Sequence, residues 1–187
     1  GHSRPECWSP GRYAFRVPQA EQWTIRRARP SAIRALASLI EPLVEARVLL
    51  GKDLVVLYES VQEFTVATRS SGEVVGCGAL HVFWENLGEI RTLAVSPQHV
   101  GQGIGTAVVE ALEEQARELG LSTLFCLTFE VDFFTAHGFH IQDDPIVEPE
   151  IYLELVRSPD EGVAEFLDLA RVKPNTLGNS RLVKDLG

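Results

Sequence analysis

The chain contains no methionine, only three cysteines, and no apolar run that approaches the roughly 20 residues needed to span a bilayer. The cysteines Cys7, Cys77 and Cys126 are far apart and form no C-x-x-C pair, so the sequence supports neither a disulfide framework nor a zinc site. Cys77 and Cys126 lie in apolar runs, where cysteine behaves as a small buried hydrophobic residue. Because no signal-peptide core is present either, we expect a cytoplasmic protein that uses no metal and contacts no membrane.

Basic residues are also scarce: 17 Lys and Arg stand against 26 Asp and Glu, which gives a formal net charge of −9 at pH 7. A surface of this sign disfavours nucleic acid and anionic membranes, so we expect small-molecule partners and no nucleic acid. A length of 187 residues is enough for one domain with a buried core. Neither length nor composition decides between a monomer and a homodimer.

The chain divides into an irregular start and one patterned domain. Residues 1–21 are rich in Pro, Gly and Ser and show no periodicity, so we expect a flexible arm, with Gly1-His2 as a cloning scar. Alternation predicts strands in residues 22–187 at 23–28, 64–68, 74–83, 88–95, 124–128 and 180–186. The 3.6-residue period predicts helices from Pro30, after Asp53, and at 104–119, 131–137 and 149–157, while 165–172 is ambiguous. This order indicates an α/β protein with one central mixed sheet and helices on both faces.

A glycine-rich turn separates the strand at 88–95 from the helix that follows it. Gly101, Gly103 and Gly105 alternate with other residues after Ser96-Pro97, in the pattern G-x-G-x-G. Such a turn presents unpaired backbone N–H groups and the positive end of a helix dipole, which together bind phosphate without a cation. The pattern is neither the G-x-G-x-x-G of dinucleotide folds nor the G-x-x-x-x-G-K-[ST] of NTP-binding loops.

The strand, the Val-x-Pro, the G-x-G-x-G turn and the helix together resemble motif A of the GNAT acyl-CoA N-acyltransferases. That resemblance implies the GNAT fold and a turn that holds the pyrophosphate of acetyl-CoA, the expected co-substrate. The implied coenzyme-binding residues are Leu93, Ala94, Val95, Val100, Gly101, Gln102, Gly103, Ile104, Gly105, Thr106 and Phe134. The family usually has Arg or Gln where this chain has Val100, and residues 96–116 contain no Lys or Arg. Pyrophosphate binding would then depend on the backbone N–H groups of residues 101–106 and the Thr106 hydroxyl, with His99 as a further candidate.

Acetyl transfer from a thioester to an amine needs a base for the ammonium proton and an acid for the leaving thiolate. Glu89 occupies the strand start where GNAT enzymes often carry a catalytic glutamate, and burial would raise its pKa towards the working range. The tyrosine that many GNAT enzymes use as acid is replaced by Phe134, which can only pack against coenzyme A. Thr128, at the end of the next strand, is the nearest hydroxyl candidate for the acid.

Several further segments recur in the same order in N-acetylglutamate synthases, and the chain resembles the short single-domain members of that group. These segments are residues 25–28, 40–43, 63–66, 76–80, 88–90, 124–128, 137–139 and 179–183. The resemblance implies acetylation of the α-amino group of L-glutamate, with L-glutamine as a possible second acceptor, in arginine biosynthesis. It also implies that cations and donors hold the substrate carboxylates, with these candidates: Arg91, Lys52, Asn179, Ser180 and Arg181.

The chain departs from that group in two places. The family arginine just before the terminal strand corresponds to Gly178, and about twenty extra residues occupy 158–178. Two alternatives therefore remain open. One is a GNAT enzyme that acetylates another amine, such as a protein N-terminus, a lysine side chain or a polyamine. The other is a non-catalytic sensor that binds acyl-CoA without transferring the acyl group.

Overall fold

The structure is a computed structural model that describes residues 22–142, 147–167 and 179–187; the expected arm at 1–21 lies outside these ranges. The strands are Trp23–Arg27 (β1), Phe64–Arg69 (β2), Val74–Trp84 (β3), Leu87–Val95 (β4), Thr123–Thr128 (β5), His140–Ile141 (β6) and Ser180–Asp185 (β7). The helices are Ile33–Glu45 (α1), Leu54–Glu59 (α2), Ile104–Glu118 (α3), Val131–Ala136 (α4), Pro149–Leu155 (α5) and Glu161–Phe166 (α6). No helix within the described ranges combines the length and apolar character needed to cross a membrane.

The described strands form one mixed sheet in the order β1-β2-β3-β4-β5-β7-β6. Neighbouring strands are antiparallel except β4 and β5, which run parallel. A parallel pair cannot be joined by a tight hairpin, so the chain crosses over between β4 and β5 through α3. The turn that begins α3 therefore lies at the carboxyl end of β4.

Helices cover both faces of the sheet, as the sequence pattern predicted. On one face, α3 buries Val108, Leu112 and Ala116 at the spacing of successive helical turns. On the other face, α1 buries Ile33 and Leu36 in the same way. Each helix therefore presents one apolar stripe to the sheet and its polar residues to solvent.

A cluster of aromatic residues attaches α6 to the face that α1 also covers. The Phe166 ring centroid lies 4.2 Å from that of Phe125 on β5 and 5.5 Å from that of Phe83 on β3. The Phe83 and Phe125 centroids are 4.8 Å apart with their rings nearly perpendicular, an arrangement that aromatic pairs favour. Because α6 is short, this packing, and not helix propensity, holds it in place.

The strands and helices predicted from the sequence are confirmed, with ends that differ by only a few residues. Among the residues that the structure describes, one strand and one α-helix were missed. The strand β6 has only two residues, His140 and Ile141, which is too short for an alternating pattern to show. The helix α6 spans Glu161–Phe166, so the ambiguous stretch at 165–172 begins inside it, and residues 168–178 lie outside the described ranges.

The close contact between α3 and β3 depends on glycine at position 78. A Cβ atom at Gly78 would lie 2.7 Å from Val108 Cγ1 and 3.0 Å from Leu112 Cδ1. We expect Gly78→Ala to lower the free energy of unfolding by about 1–3 kcal/mol through overpacking, measured by denaturant titration. The control is Glu110→Ala on the exposed side of α3, which should change stability by less than about 0.5 kcal/mol. Unchanged stability of Gly78→Ala would contradict this packing.

Candidate functional site

The candidate site lies where β4 and β5 separate. The two strands pair at only three positions, and the last of them joins Glu89 to Phe125. Beyond that point β5 continues to pair with β7 up to Thr128 opposite Ser180, while β4 turns away towards the glycine-rich turn. Backbone groups on the facing edges of β4 and β5 are thus released from the ladder, and the opening can admit an extended ligand.

A β-bulge at Thr92 causes part of this divergence. Ala79 pairs with Arg91 and Cys77 with Ala94, so two residues of β4 stand opposite Gly78 alone. Thr92 adopts φ +55°, in the left-handed region that a β-branched residue rarely occupies. Strain of this kind persists only where the surrounding structure holds it, and it is common at functional sites.

Glu89 lies at the base of the opening and is 4% exposed. Arg91 Nε donates a hydrogen bond of 3.0 Å to Glu89 Oε1, while Glu89 Oε2 is buried and has no hydrogen-bond partner among the described residues. Burial raises the pKa of Glu89, and the charge and hydrogen bond of Arg91 offset only part of this effect. The predicted desolvation of Glu89 is therefore present, and one carboxylate oxygen is available to accept a proton.

Arg91 lies on the same face as Glu89, as predicted, but its guanidinium is already engaged. Besides the bond to Glu89, its Nη1 and Nη2 donate to Asp160 Oδ1 and Oδ2 at 2.9 Å and 2.8 Å. Burial lowers the pKa of Arg91, but the carboxylates of Glu89 and Asp160 hold it above its usual value. This geometry favours a role for Arg91 as an internal counterion over the predicted role as a ligand of the substrate carboxylate.

A cavity of about 560 Å³ opens beside Glu89, between the α1–α2 connection and α6. Among the described residues that line it, acidic side chains outnumber cationic ones. The two cationic residues are Lys52 and Arg91, and the five acidic ones are Asp53, Glu89, Asp160, Glu161 and Glu165. Leu49, Leu50, Val56 and Leu127 supply apolar walls. The cavity can therefore hold a small molecule with an apolar middle and a positively charged end near Glu89.

Lys52 is the cation in the described lining that no carboxylate binds directly, since Arg91 is held by Glu89 and Asp160. Burial lowers the pKa of Lys52, and the nearby charge of Arg91 adds to this effect. A partly desolvated ammonium gains most from an incoming anion. The predicted role of Lys52 in binding a substrate carboxylate is thus compatible with its position.

The glycine-rich turn has the geometry of an anion site. Gly101 and Gly103 adopt φ +85° and +81°, and residues 101–103 are exposed. Gly103 is the N-cap of the 15-residue helix α3 and no side chain caps its first turn. The first backbone N–H groups of α3 therefore remain available to a phosphate. Leu93, Ala94 and Val95 lead from the cavity to this turn along the end of β4.

The other predicted coenzyme-binding residues, Val100, Ile104 and Thr106, differ in their exposure and hydrogen bonding. Val100 is 70% exposed, whereas the Ile104 side chain is buried, so only its backbone can face a ligand. The Thr106 hydroxyl lies 3.1 Å from His137 Nε2, and His137 Nδ1 lies 2.7 Å from the carbonyl oxygen of Phe133. With Nδ1–H donating to that carbonyl, a neutral His137 accepts the Thr106 proton.

The aromatic residue beside the turn is Phe133 and not Phe134. Phe134 is 3% exposed and packs in the core against Phe139, so its side chain is not available to coenzyme A. A Cβ atom on Gly105 would lie 3.4 Å from the Phe133 ring. The sequence could not show which of these two adjacent phenylalanines lies beside the turn, because only packing distinguishes them.

The remaining predicted residues lie near the far end of β5. Thr128 Oγ1 accepts a hydrogen bond of 2.8 Å from the backbone N–H of Glu130, which leaves its own proton to donate. Asn179 lines the main cavity and also a second cavity of about 190 Å³ with Ser180 and Arg181. Arg181 is buried and Nη2 donates to the carbonyl oxygen of Phe166 at 2.6 Å. This contact anchors α6 to β7.

Sequence reasoning missed Asp160 and His81, which complete the charged network. His81 stands opposite Glu89 in the β3–β4 ladder and its Nε2 lies 4.0 Å from Asp160 Oδ2. Asp160 is the N-cap residue of α6, and its side chain accepts a hydrogen bond from the Val163 N–H at 2.9 Å. Aspartate is a preferred N-cap residue, and this preference is the sequence signal that could have identified it. In the part of the chain that the structure describes, no group of three His, Cys, Asp or Glu side chains could hold a metal ion.

Comparison with known proteins agrees with this geometry. The pattern described as the acetyltransferase (GNAT) family matches residues 35–141. An amino-acid acetyltransferase of Mycobacterium tuberculosis is 53% identical over 161 residues, which cover 85% of this chain and 92% of that protein. An amino-acid acetyltransferase of Pseudomonas putida is 36% identical over 66% of this chain, which spans only 28% of the length of that relative.

Solved structures show the same relationship. Rv2747 of Mycobacterium tuberculosis, in complex with CoA and NLQ, superposes with a TM-score of 0.84 at 52% identity, over 88% of this chain and 99% of that chain. N-acetylglutamate synthase of Neisseria gonorrhoeae, complexed with coenzyme A and N-acetyl-glutamate, gives a TM-score of 0.71 at 27% identity. The latter match covers 90% of this chain and 36% of the synthase.

Proposed function

Because the chain belongs to the GNAT family and is an acetyl-CoA-dependent amino-acid N-acetyltransferase, we propose that its acceptor is the α-amino group of L-glutamate, with L-glutamine as a competing acceptor. The product of this reaction would be the N-acetylated amino acid, and the reaction would open arginine biosynthesis. The proposal combines the similarity to an N-acetylglutamate synthase with the character of the cavity beside Glu89.

The buried, unpartnered oxygen of Glu89 is the observation that carries the proposal. Glu89 lines the cavity and lies where the pairing of β4 and β5 ends, and its Oε2 is buried with no hydrogen-bond partner among the described residues. An unsatisfied buried carboxylate oxygen costs free energy unless a ligand supplies a donor. An ammonium group is the donor that fits its charge.

Separate groups at the site carry out proton removal, stabilisation of the carbonyl oxygen and protonation of the thiolate. Glu89 accepts a proton from the substrate ammonium, and the resulting amine nitrogen forms a bond to the thioester carbonyl carbon. Backbone N–H groups at the bulged end of β4 stabilise the negative charge on the carbonyl oxygen. The carbon–sulfur bond then breaks as the nitrogen gives its second proton to a water molecule. The Thr128 hydroxyl donates its proton to the thiolate and takes a proton back from that water, so that both end neutral.

The acceptor is assigned from the cations that the cavity offers. Lys52 can hold the α-carboxylate, and Asn179, whose amide nitrogen donates to the Glu165 carboxylate, lies at the wall shared with the second cavity. The acidic residues of the described lining outnumber the cationic ones, which disfavours a second carboxylate more than an amide. L-glutamine therefore competes with L-glutamate, and both exceed amino acids with larger or branched side chains.

Coenzyme binding is tested at Gly103. We expect Gly103→Val to weaken acetyl-CoA binding at least about tenfold by calorimetry, because a β-branched residue strains the positive φ and obstructs phosphate approach. Gly72→Val is a matched control: Gly72 adopts φ +88°, also has no heavy atom near an added Cβ, and lies in the β2–β3 turn. If both variants bind alike, the pyrophosphate does not occupy the predicted turn.

The base is tested by Glu89→Gln, which keeps the shape and removes proton acceptance. We expect kcat to fall by roughly 10²–10⁴-fold, with a smaller change in KM for acetyl-CoA. Because burial raises the pKa of Glu89, wild-type activity should rise with pH as this carboxyl ionises, and the variant should lack that acidic limb. Glu110→Gln, on the exposed side of α3, is the control. Near wild-type kcat in Glu89→Gln would assign proton removal to solvent.

The acceptor is tested by thiol release across the free amino acids and polyamines. L-glutamate and L-glutamine should exceed lysine, arginine and polyamines, and Lys52→Met should raise their KM about tenfold by removing a charged donor to the carboxylate. Exposed Arg34→Gln on α1 controls for the loss of one positive charge. Equal, slow turnover of all amines would contradict the acceptor assignment, and acetyl-CoA binding with no turnover would indicate a sensor.

A further inference from the structure

Asp160 lies after residues 35–141, which match the family pattern, and it connects this later segment to the carboxylate of Glu89. It precedes α6, within residues 158–178, and its two oxygens accept hydrogen bonds from both Nη atoms of Arg91. Arg91 Nε in turn donates to Glu89 Oε1. One guanidinium thus connects Asp160, on one wall of the cavity, with Glu89 on the sheet.

Gly162 provides the space for this arrangement. A Cβ atom at position 162 would lie 2.5 Å from Arg91 Nη2 and 2.9 Å from Arg91 Cζ. On its other side, the Arg91 guanidinium lies 5.9 Å from the centre of the Phe83 ring. Because α6, Phe83 and the two carboxylates all enclose it, the guanidinium has one position in which its hydrogen bonds are made.

We propose that Asp160 is a positioning residue: it holds Arg91 so that the free oxygen of Glu89 faces the acceptor ammonium, and it cancels the positive charge that would otherwise repel that ammonium. The inference rests on the proposed role of Glu89 as base. Without Asp160, Arg91 would place a full positive charge beside both the ammonium and the base.

The charges that face Glu89 come from four parts of the chain. Arg91 on β4 and His81 on β3 lower the pKa of Glu89, while Asp160 before α6 raises it. Lys52, before α2, also interacts with Glu89. Burial alone raises the pKa of Asp160, but the hydrogen bonds and charge of Arg91 hold it well below its usual range, so Asp160 remains ionised wherever Glu89 titrates.

Asp160 also caps α6 through the Val163 N–H, so a purely structural role has to be distinguished from the electrostatic one. Asn caps helices about as well as Asp and retains one acceptor for Arg91, but it carries no charge. Asp160→Asn therefore separates the two roles.

The experiment measures kcat and the KM of L-glutamate and L-glutamine against pH for the wild type, Asp160→Asn and Asp160→Glu. In Asp160→Asn the acidic limb of the pH profile of kcat should move to lower pH by about one unit. Without its second counterion, Arg91 lowers the pKa of Glu89 more strongly. The acceptor KM should rise about tenfold, the order that one charged contact contributes, while the KM of acetyl-CoA stays unchanged. Asp160→Glu restores the charge and should return the limb towards the wild-type position.

Glu150→Gln on α5 is the charge control, because Glu150 is exposed and lies outside the cavity lining that the structure describes. If Asp160→Asn does not fold, Asp160→Ser carries the same test, since Ser also caps helices and is uncharged. An acidic limb that stays in place or moves to higher pH in the folded variant would overturn the proposal. A limb that survives Glu89→Gln would overturn the base assignment, and this inference with it.

Discussion

The buried hydrogen bond between Glu89 and Arg91, on neighbouring same-face positions of β4, is the constraint on which the rest of the site depends. A carboxylate as buried as Glu89 loses most of its hydration, and leaving one charge of such a pair without its partner costs about 3–5 kcal/mol. The fold therefore has to supply a cation to Glu89 and a second anion to that cation. Asp160 supplies the anion from a helix that the aromatic cluster of Phe83, Phe125 and Phe166 holds against the sheet.

The split between β4 and β5 adds a path for the acyl donor to that charged centre. The bulge at Thr92 and the end of pairing at Glu89 expose strand edges that a continuous sheet would have paired. The same strand leads to the N-terminus of α3, where the first backbone N–H groups of the helix have no side-chain cap and can receive a phosphate. The proposed base, the bulge and the glycine-rich turn are thus all positioned by the course of one strand.

The sequence predicted most of the fold because its patterns are local. Apolar spacing identified α3 and the strands, and the glycines identified the turn. It could not distinguish Phe133 from Phe134, since both are adjacent aromatic residues and only their packing differs. It placed Arg91 on the correct face but could not show that Asp160, 69 positions later, already occupies its guanidinium. It also missed α6, whose position depends on long-range packing more than on its own propensity.

By itself, therefore, the sequence determined the family, the glycine-rich turn before α3 and the position of the proposed base, because each of these follows from a short run of neighbouring residues. Only the tertiary structure decided how the charges are shared. Glu89 and Arg91 lie on one strand, but His81, Lys52 and Asp160 come from other parts of the chain, and the effect of these groups on one another depends on distance and desolvation. Neither quantity can be read from residue order, since both arise only when the helices close over the sheet.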